Sequence, residues 1–419
     1  MKNFIFAGCD TVKLAEKYKT PLYIMSEDYI VERLREIKND FLNKYEKTKA
    51  VYASKAFLTK EMARIVNREG IGMDVVSGGE LYTAIKAGFP MENIIFHGNN
   101  KTIDELELAI ENNVGRIVVD HMEEMDLIEA IARGKGKKVR ILFRISPGLE
   151  SDTHKYIQTG QVDSKFGIPL TEETISSAME KALSLEFTEL LGFHFHIGSQ
   201  LSDNENHIKA IDIMTKLMKK VKDEYGFITK ELNTGGGYGI HYSEEERKPL
   251  SYFTDFIMKE IENQCKEYNL ERPIIIIEPG RWVVGEAGMT IYSIGAIKEI
   301  PGVRTYVSID GGMPDNPRPS LYEAKYEGIV INKIDEEPTE TVTIAGKCCE
   351  SGDILIWDLK VPQVERGDML GVLSTGAYNY SMSSNYNRIP RPAVVMISQG
   401  QDRLIVKRET YDDILRNDI

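Results

Sequence analysis

Short apolar runs alternate with amphipathic segments along the first two thirds of the chain. The segments between the runs have apolar residues at helical spacing, as in residues 103–113 and 207–225. The run from Ile274 to Ile277 contains no polar residue, as expected for a parallel strand that is covered on both faces. Eight strand-then-helix units of this kind predict a (β/α)8 barrel. Their apolar runs occupy residues 50–54, 72–77, 94–98, 116–120, 139–145, 191–198, 231–237 and 274–280.

After about residue 286 the pattern changes to alternating strands separated by turn residues. This change predicts an α/β barrel domain over residues 27–285 and a sandwich-like or barrel-like β domain over residues 286–419. Residues 1–26 contain a short helical segment and one apolar strand, and the pattern alone fits them to either domain. The predicted strands of the β domain lie within residues 304–312, 327–335, 340–346, 353–358, 369–374 and 392–398.

Length, charge and cysteine content narrow the number of domains, the possible partners and the expected location of the protein. A chain of 419 residues is long enough for two cores. The net charge of −13, without a long run of Lys and Arg, argues against nucleic acid as a partner. The sequence has no apolar stretch of membrane-spanning length and no secretory signal pattern at its start, so we expect a cytoplasmic protein without a membrane partner. The four cysteines form no CxxC pair and predict reduced thiols.

The carboxyl ends of the strands are where a (β/α)8 barrel carries its chemistry. The ends of the first, sixth, seventh and eighth predicted strands carry polar residues and glycines that could all bind one ligand. These residues are Lys55, His194, His196, Ser199, the glycines of "TGGGYG", Glu278 and Arg281.

Each of these features also has an ordinary structural interpretation. A lysine such as Lys55 is more often a solvated charge than a nucleophile, although it forms a Schiff base where the neutral amine is favoured. The glycine turn is usually only a tight turn, yet it also lets backbone N–H groups approach a phosphate. His196 taken alone fits a core histidine. Glu278 is harder to explain structurally, because a carboxylate that leaves a buried strand needs a partner such as Arg281 or a protonated ring nitrogen.

Taken together, these residues predict pyridoxal 5'-phosphate as the cofactor. They supply an amine for its aldehyde, N–H donors and an arginine for its phosphate, an imidazole against its ring, and a carboxylate that keeps its pyridine nitrogen protonated. The protonated ring withdraws electrons from a bond at the α-carbon of the substrate. We expect no metal site.

The motifs "YASKA", "DVVSGGEL", "HFHIGSQ", "NTGGGYG", "EPGR", "DNPRPSLY", "CESGD" and "GAY" follow one another along nearly the whole chain. In this order they resemble the diaminopimelate decarboxylase family, a branch of the alanine-racemase-like, fold-type III pyridoxal enzymes. The resemblance implies decarboxylation of meso-diaminopimelate to L-lysine, the last step of lysine biosynthesis. It also implies that the start of the chain joins the β domain, and that a homodimer shares its active sites.

The resemblance further implies a role for individual residues at the cofactor. Lys55 is the Schiff-base lysine, His196 stacks on the ring, and Glu278 binds the pyridine nitrogen. Arg281 lies where cofactor and substrate meet, and Tyr378 contacts both. The remaining cofactor-binding residues are Ser199, Gly236, Gly237 and Gly280.

At the substrate, the resemblance places residues of the β domain. The "CESGD" segment enters the site of the partner subunit, where the Cys349 thiol acts as the general acid that protonates the carbanion left by carbon dioxide. Glu350 binds the distal ammonium group. Arg318 and Tyr322 bind the distal carboxylate, which the planar fork of an arginine suits. Cys348 lies outside the motif, and we interpret it as a small packing residue.

Other functions share part of this pattern. Decarboxylases of ornithine, arginine or carboxynorspermidine need the same cofactor residues but a different pocket, and the segment from His154 to Gly167 together with "CESGD" favours diaminopimelate. An amino acid racemase needs a second base opposite the lysine, and the match to that branch is weaker. A non-catalytic pyridoxal-binding regulator does not need both Lys55 and Cys349.

Overall fold

The computed structural model describes residues 2–148, 164–243 and 247–419. The chain divides into two compact units. The barrel unit comprises Arg33–Gly239 and Arg247–Trp282, and the β unit comprises Met1–Glu32, Ile240–Glu246 and Val283–Ile419. Among the residues that the structure describes, no helix combines the length and apolar character that a membrane span requires.

Eight parallel strands form the barrel unit, as the apolar runs predicted. The last strand, Ile274–Ile277, pairs in parallel with the first, Thr48–Ala53, and closes the barrel. A short ninth strand, Ile168–Pro169, extends the pairing beside Val139–Ser146. The predicted (β/α)8 architecture is therefore confirmed. The eight strands are Thr48–Ala53, Gly72–Val75, Ile94–Phe96, Arg116–Val119, Val139–Ser146, Thr188–His194, Glu231–Asn233 and Ile274–Ile277.

The helices of the barrel unit begin and end at residues with recognisable capping chemistry. Thr102 and Glu105 form a reciprocal capping box at the start of helix Ile103–Glu111, satisfying two backbone N–H groups. Gly136 ends helix Met122–Lys135 with a φ of 62°, a conformation that costs glycine little. The other helices of this unit are Lys60–Arg68, Gly78–Ala87, Glu172–Ser184, Glu205–Tyr225 and Leu250–Glu267, with short helical turns at Lys38–Leu42, Ser54–Ala56 and Met91–Asn93.

Apolar side chains from most of the barrel strands pack against one another. Six strands each contribute one residue to a single buried cluster, so burial of these side chains favours the closed sheet. The regular core leaves the strand ends as the positions where polar side chains are tolerated. The cluster consists of Val51, Ile95, Val118, Leu142, Leu191 and Ile276.

The β unit is built around one long strand, Gly288–Ile300. This strand pairs with Arg304–Ile309, with Met369–Val372 and with Leu22–Ser26 from the start of the chain. Leu22–Ser26 also pairs in parallel with Ala393–Ser398. The first residues of the chain therefore lie in the sheet of this unit. The remaining strands are Ile5–Phe6, Cys9–Asp10, Gly328–Val330, Glu340–Ala345, Ile354–Val361 and Gln401–Val406, and the helices are Thr11–Tyr18, Arg318–Tyr322 and Tyr411–Leu415, with short turns at Tyr380–Met382 and Tyr386–Arg388.

Four described strands of the β unit did not appear among the predicted ones, namely Ile5–Phe6, Cys9–Asp10, Gly288–Ile300 and Gln401–Val406. The first half of Gly288–Ile300 is buried on both faces, and its pairing register shifts between Ile294 and Ile297. Neither feature produces the alternation of apolar and polar residues that identifies a half-exposed strand. Helices Glu27–Ile37 and Arg281–Val284 cross the division between the two units.

Candidate active site

Three side chains from different strand ends of the barrel unit meet at Glu278. One carboxylate oxygen, Oε1, lies 2.7 Å from His97 Nε2 and 2.6 Å from Asn233 Nδ2. The other oxygen, Oε2, lies 3.3 Å from His194 Nε2. Because an ionised carboxylate only accepts, both imidazoles donate an Nε2–H group to it. Glu278 therefore has three donors from three different strand ends.

This arrangement keeps a negative charge in a buried place. Burial alone would raise the pKa of Glu278, but its interactions with His97 and His194 hold that pKa well below its usual range. Burial lowers the pKa of His97 and lowers the pKa of His194 to about 3. Both imidazoles are therefore neutral at physiological pH. The site thus presents a carboxylate that neutral donors orient without cancelling its charge.

Lys55 lies in the short turn Ser54–Ala56 that follows the first barrel strand. The N–H group of Ser54 donates to Asp74 Oδ1 at 3.2 Å, and the Ser54 hydroxyl donates to Glu80 Oε2 at 3.0 Å. Burial and the Glu278 charge raise the pKa of Asp74 well above its usual value. Two acidic side chains from "DVVSGGEL" therefore fix the backbone beside Lys55, whose own side chain is exposed.

The glycine turn brings three strand ends close together. A Cβ on Gly236 would lie 2.1 Å from the carbonyl oxygen of Glu278, and one on Gly237 would lie 2.3 Å from the carbonyl oxygen of Gly198. His196 Nδ1 accepts from the N–H group of Gly236 at 3.4 Å. Burial, followed by the charge of Lys55, lowers the pKa of His196 well below its usual value. Close packing explains these glycines, which lie beside a neutral imidazole.

Arg281 and Ser199, both predicted to bind the cofactor, are in direct contact. The buried Arg281 guanidinium donates to Ser199 Oγ at 3.0 Å. A Cβ on Gly280 would lie 2.7 Å from the Cβ of Ala53, so this glycine permits the close approach of the eighth and first strands. The barrel residues of the predicted site thus all lie at the ends of strands one, six, seven and eight.

These residues fit pyridoxal phosphate by their chemistry. An oriented carboxylate suits a protonated pyridine nitrogen, and an arginine, a serine and a glycine turn suit a phosphate. His97, His194 and Glu278 are also the one group of metal-ligand types found among the described residues, with ligand atoms within 4.8 Å of one another. Their mutual hydrogen bonds explain that proximity without an ion. The absence of a metal site stays a prediction.

In the β unit, the two adjacent cysteines have different surroundings. Cys349 is exposed, and its N–H group donates to Asn387 Oδ1 at 2.8 Å. Cys348 is partly buried, and burial together with the Asp353 charge raises its thiol pKa to about 12. Glu350 is exposed, and its Oε1 atom accepts from the N–H group of Gly352 at 3.1 Å. Cys348 is therefore held as a neutral thiol, while Cys349 and Glu350 face outward from the turn.

Arg318 begins the short helix Arg318–Tyr322 and is buried. Its guanidinium lies 5.0 Å from the ring centre of Tyr242 and 5.5 Å from that of Tyr326, whose hydroxyl accepts a hydrogen bond from it. Tyr322 is half-buried at the end of the helix. Tyr378 is half-buried and has a φ of 66°, which non-glycine residues rarely adopt and which tends to occur at functional sites. The aromatic packing holds the arginine in one orientation.

Sequence reasoning selected His194 as a strand-end residue without an individual role, and it did not select His97, Asn233, Asp74 or Glu80. The signal for His97 and Asn233 was available, because each stands at the end of a barrel strand, where the same rule had selected Lys55 and Glu278. Asp74 and Glu80 stood inside a motif that was noted without a role. The segment from His154 to Gly167, which favoured diaminopimelate over other substrates, lies outside the described residues up to residue 163.

Comparison with known proteins gives a consistent result. Residues 27–285 match the family model described as "Pyridoxal-dependent decarboxylase, pyridoxal binding domain". The chain is 49% identical to the diaminopimelate decarboxylase of Bacillus subtilis over 98% of this chain and 94% of the relative. It is 44% identical to that of Staphylococcus aureus over 98% and 96%.

Solved structures agree with these relatives. A diaminopimelate decarboxylase from M. jannaschii in complex with L-lysine is 37% identical, with a TM-score of 0.91 over 100% of this chain and 96% of that one. A lysine/ornithine decarboxylase from Vibrio vulnificus, at 22% identity and a TM-score of 0.76 over 93% of this chain and 96% of that one, shares the fold. The chain belongs to the diaminopimelate decarboxylase family of pyridoxal-dependent decarboxylases.

Proposed function

We propose that the protein decarboxylates meso-2,6-diaminopimelate to L-lysine and carbon dioxide, using pyridoxal 5'-phosphate, as the final step of lysine biosynthesis. The observation that carries this proposal is the 49% identity to a diaminopimelate decarboxylase over 98% of the chain. When bound, the cofactor supplies a conjugated pyridinium that withdraws electrons from the bond to be broken. The residues of this chain bind the cofactor and the substrate, orient them, and deliver the proton to the α-carbon.

In the barrel unit, we assign Lys55 as the amine that holds the cofactor, and Glu278 as the partner of its ring nitrogen. The three donors around Glu278 support this role, because they orient an ionised carboxylate in a buried place. The neutral, half-buried imidazole of His196 suits a flat ring. The phosphate residues are Ser199, Gly236, Gly237, Gly280 and Arg281, and Arg281 also reaches the substrate.

In the β unit, we assign Cys349 as the general acid that delivers a proton to the α-carbon. Glu350 would bind the distal ammonium group of the substrate, and Arg318 with Tyr322 the distal carboxylate. Packing of two aromatic rings against Arg318 supports that role, since it presents the planar fork in one orientation. Tyr378 would contact cofactor and substrate.

We also propose a homodimer in which "CESGD" of one subunit completes the site of the other. In this proposal residues 27–285 form the cofactor-binding domain, and residues 286–419 with 1–26 form the β domain. A cytoplasmic location and the absence of a nucleic-acid partner stay predictions. Their support is the acidic net charge of −13 and the four free thiols.

The deciding experiment compares substrates on one preparation. Purified protein with added cofactor is incubated with meso-diaminopimelate, ornithine, arginine or carboxynorspermidine, and carbon dioxide and the amine products are measured. We expect L-lysine from meso-diaminopimelate and far slower release from the other three. Preferred turnover of any of those three would replace the proposal with a polyamine-type decarboxylase. Cofactor binding without turnover of any substrate would favour a regulator.

The cofactor-holding lysine is tested chemically. Borohydride reduction followed by peptide mapping should place a pyridoxyl group on Lys55, and Lys55→Ala should lose both the group and the activity. Lys60→Ala, which removes an exposed lysine five positions further on, is the matched control and should keep both. A group on another lysine would refute the assignment.

The shared site is tested by mixing two inactive variants. Lys55→Ala and Cys349→Ala proteins, dissociated mildly and reassociated together, should recover activity through mixed dimers that contain one intact site. Cys348→Ala serves as the control for Cys349→Ala and should retain most activity alone. Mixed dimers shown by a tag on one partner, but without activity, would defeat the shared-site model.

A further inference from the structure

The buried carboxylate of Asp353 lies between the two segments of the β unit that carry the proposed substrate residues. Its Oδ1 atom accepts from the N–H group of Met313 at 2.7 Å, and its Oδ2 atom accepts from the N–H group of Cys348 at 2.9 Å. Met313 lies in the loop that leads to helix Arg318–Tyr322, and Cys348 adjoins Cys349. One carboxylate thus bridges the loop before Arg318 and the turn of Cys349.

Both neighbouring glycines leave room for this carboxylate. A Cβ on Gly346 would lie 2.1 Å from Asp353 Oδ2, and a Cβ on Gly312 would lie 2.5 Å from the same atom. The backbone of Asp353 takes part as well, because its carbonyl accepts from Gly346 at 2.9 Å and its N–H group donates to the Glu350 carbonyl at 3.2 Å. The residue is 2% exposed. These hydrogen bonds all join Asp353 to backbone groups, as expected for a structural link within the turn.

We propose that Asp353 is a positioning residue, which sets the separation between the Cys349–Glu350 turn and the Arg318–Tyr322 helix. This inference rests on the proposed function, in which the helix binds substrate in the site of its own subunit and the turn enters the site of the partner subunit. A shift of the turn against the helix would therefore move Cys349 and Glu350 in the partner's site, and a misplacement of about 1 Å can cost about 100-fold in rate. A side chain that never meets the substrate would in this way affect its binding and turnover.

The test is Asp353→Asn in the cofactor-loaded enzyme. Asparagine has the same shape, but one of its two terminal atoms is an NH2 group, which would face a backbone N–H group instead of accepting from it. We expect kcat/KM for meso-diaminopimelate to fall about 100-fold, with both KM and kcat affected and cofactor content unchanged. Asp358→Asn, which changes an exposed carboxylate on the following strand, is the matched control.

A second measurement does not depend on catalysis. Burial and the Asp353 charge raise the thiol pKa of Cys348 to about 12, so alkylation of Cys348 should be slow in the wild type. Asp353→Asn should accelerate it, as measured by peptide mass spectrometry of the loaded enzyme, whereas Asp358→Asn should not. If Asp353→Asn does not fold, Gly346→Ala displaces the carboxylate from the other side, and the same two changes are expected.

The outcomes separate this inference from the proposed function. If the wild type converts meso-diaminopimelate and the folded variant keeps its kcat/KM, the positioning role is overturned, whatever the alkylation shows. If the wild type does not convert it, the proposed function fails. In that case unchanged alkylation of Cys348 overturns the link within the turn, and faster alkylation supports it.

Discussion

Two buried carboxylates, Glu278 in the barrel unit and Asp315 in the β unit, differ in charge. The pKa of Glu278 is held well below its usual range, whereas burial raises the pKa of Asp315 to about 7. Glu278 has three side-chain donors at 2.6 to 3.3 Å. Asp315 receives the N–H group of Gly312 at 3.3 Å, and the charges of Asp310 and Asp353 raise its pKa further.

Equal burial therefore does not produce equal charge. An ionised carboxylate survives away from water only where donors replace its hydration. At Glu278 neutral imidazoles do so without neutralising the charge, which is what a partner for a protonated ring nitrogen requires. At Asp315 burial outweighs the hydrogen bonds from Tyr292 and Gly312, and the neighbours are acidic, so the proton remains on the carboxyl up to about neutral pH.

The largest expected effect comes from removing the charge of Glu278. Glu278→Gln keeps the shape of the side chain but turns an acceptor into an NH2 group among donors. We expect kcat to fall about 10²- to 10³-fold, the range for loss of one preorganised electrostatic group, while cofactor occupancy changes little. Occupancy is measured by absorbance and by release of pyridoxal phosphate.

Glu271→Gln supplies the matched control, because Glu271 is an exposed carboxylate of the barrel unit. This variant should retain full activity. Near-normal turnover in Glu278→Gln would show that the charge of Glu278 is not needed, and the contrast with Asp315 would lose its functional meaning.

The barrel and its site were the more predictable part of the molecule. Each barrel strand is a short apolar run, and the ends of such runs selected Lys55, His196 and Glu278 directly. The donors around Glu278 were not assigned, although His97 and Asn233 stand at strand ends, because a buried carboxylate was expected to have a charged partner. In a buried place neutral donors serve equally well.

The β unit was less predictable for a physical reason. Its proposed site residues lie in irregular turns, whose shape depends on contacts between distant parts of the chain, such as Asp353 with Met313. No local pattern indicates such a contact. Only the resemblance to a family selected Arg318, Cys349 and Tyr378, and nothing in the sequence distinguished Asp353 or Asp315 from surface acids.

A smaller effect is expected when Glu278 keeps its charge but loses one donor. Asn233→Ala removes the hydrogen bond to Oε1, which should raise the pKa of Glu278 and move the acid limb of the kcat/KM profile to higher pH. At neutral pH we expect a loss of about 10- to 100-fold, since a hydrogen bond to a charged group contributes about 1.5 to 3 kcal/mol.

Asn233→Asp makes this test sharper. Asn233 Oδ1 also accepts from the N–H group of Gly235 at 3.0 Å, and an aspartate keeps that contact while placing a second carboxylate against Glu278. Its acid limb should move further than that of Asn233→Ala. If the limb stays in place in both variants, donors do not control the charge of Glu278.

The smallest effect on activity is expected from Asp315→Asn, which changes the stability of the protein. The pKa of Asp315 is about 7 in the folded protein and 3.8 in its usual surroundings, so the folded state binds the extra proton between these pH values. The contribution of Asp315 to stability is therefore fully present below about pH 3.8, falls by up to about 1.4 kcal/mol per pH unit as pH rises to 7, and is constant above.

Asparagine resembles the protonated acid and does not titrate. Compared with wild type, Asp315→Asn should therefore gain in melting temperature between pH 5 and pH 8, whereas the exposed-site variant Asp358→Asn should not. A difference between Asp315→Asn and wild type that is the same at both pH values would show that Asp315 is already ionised, like Glu278.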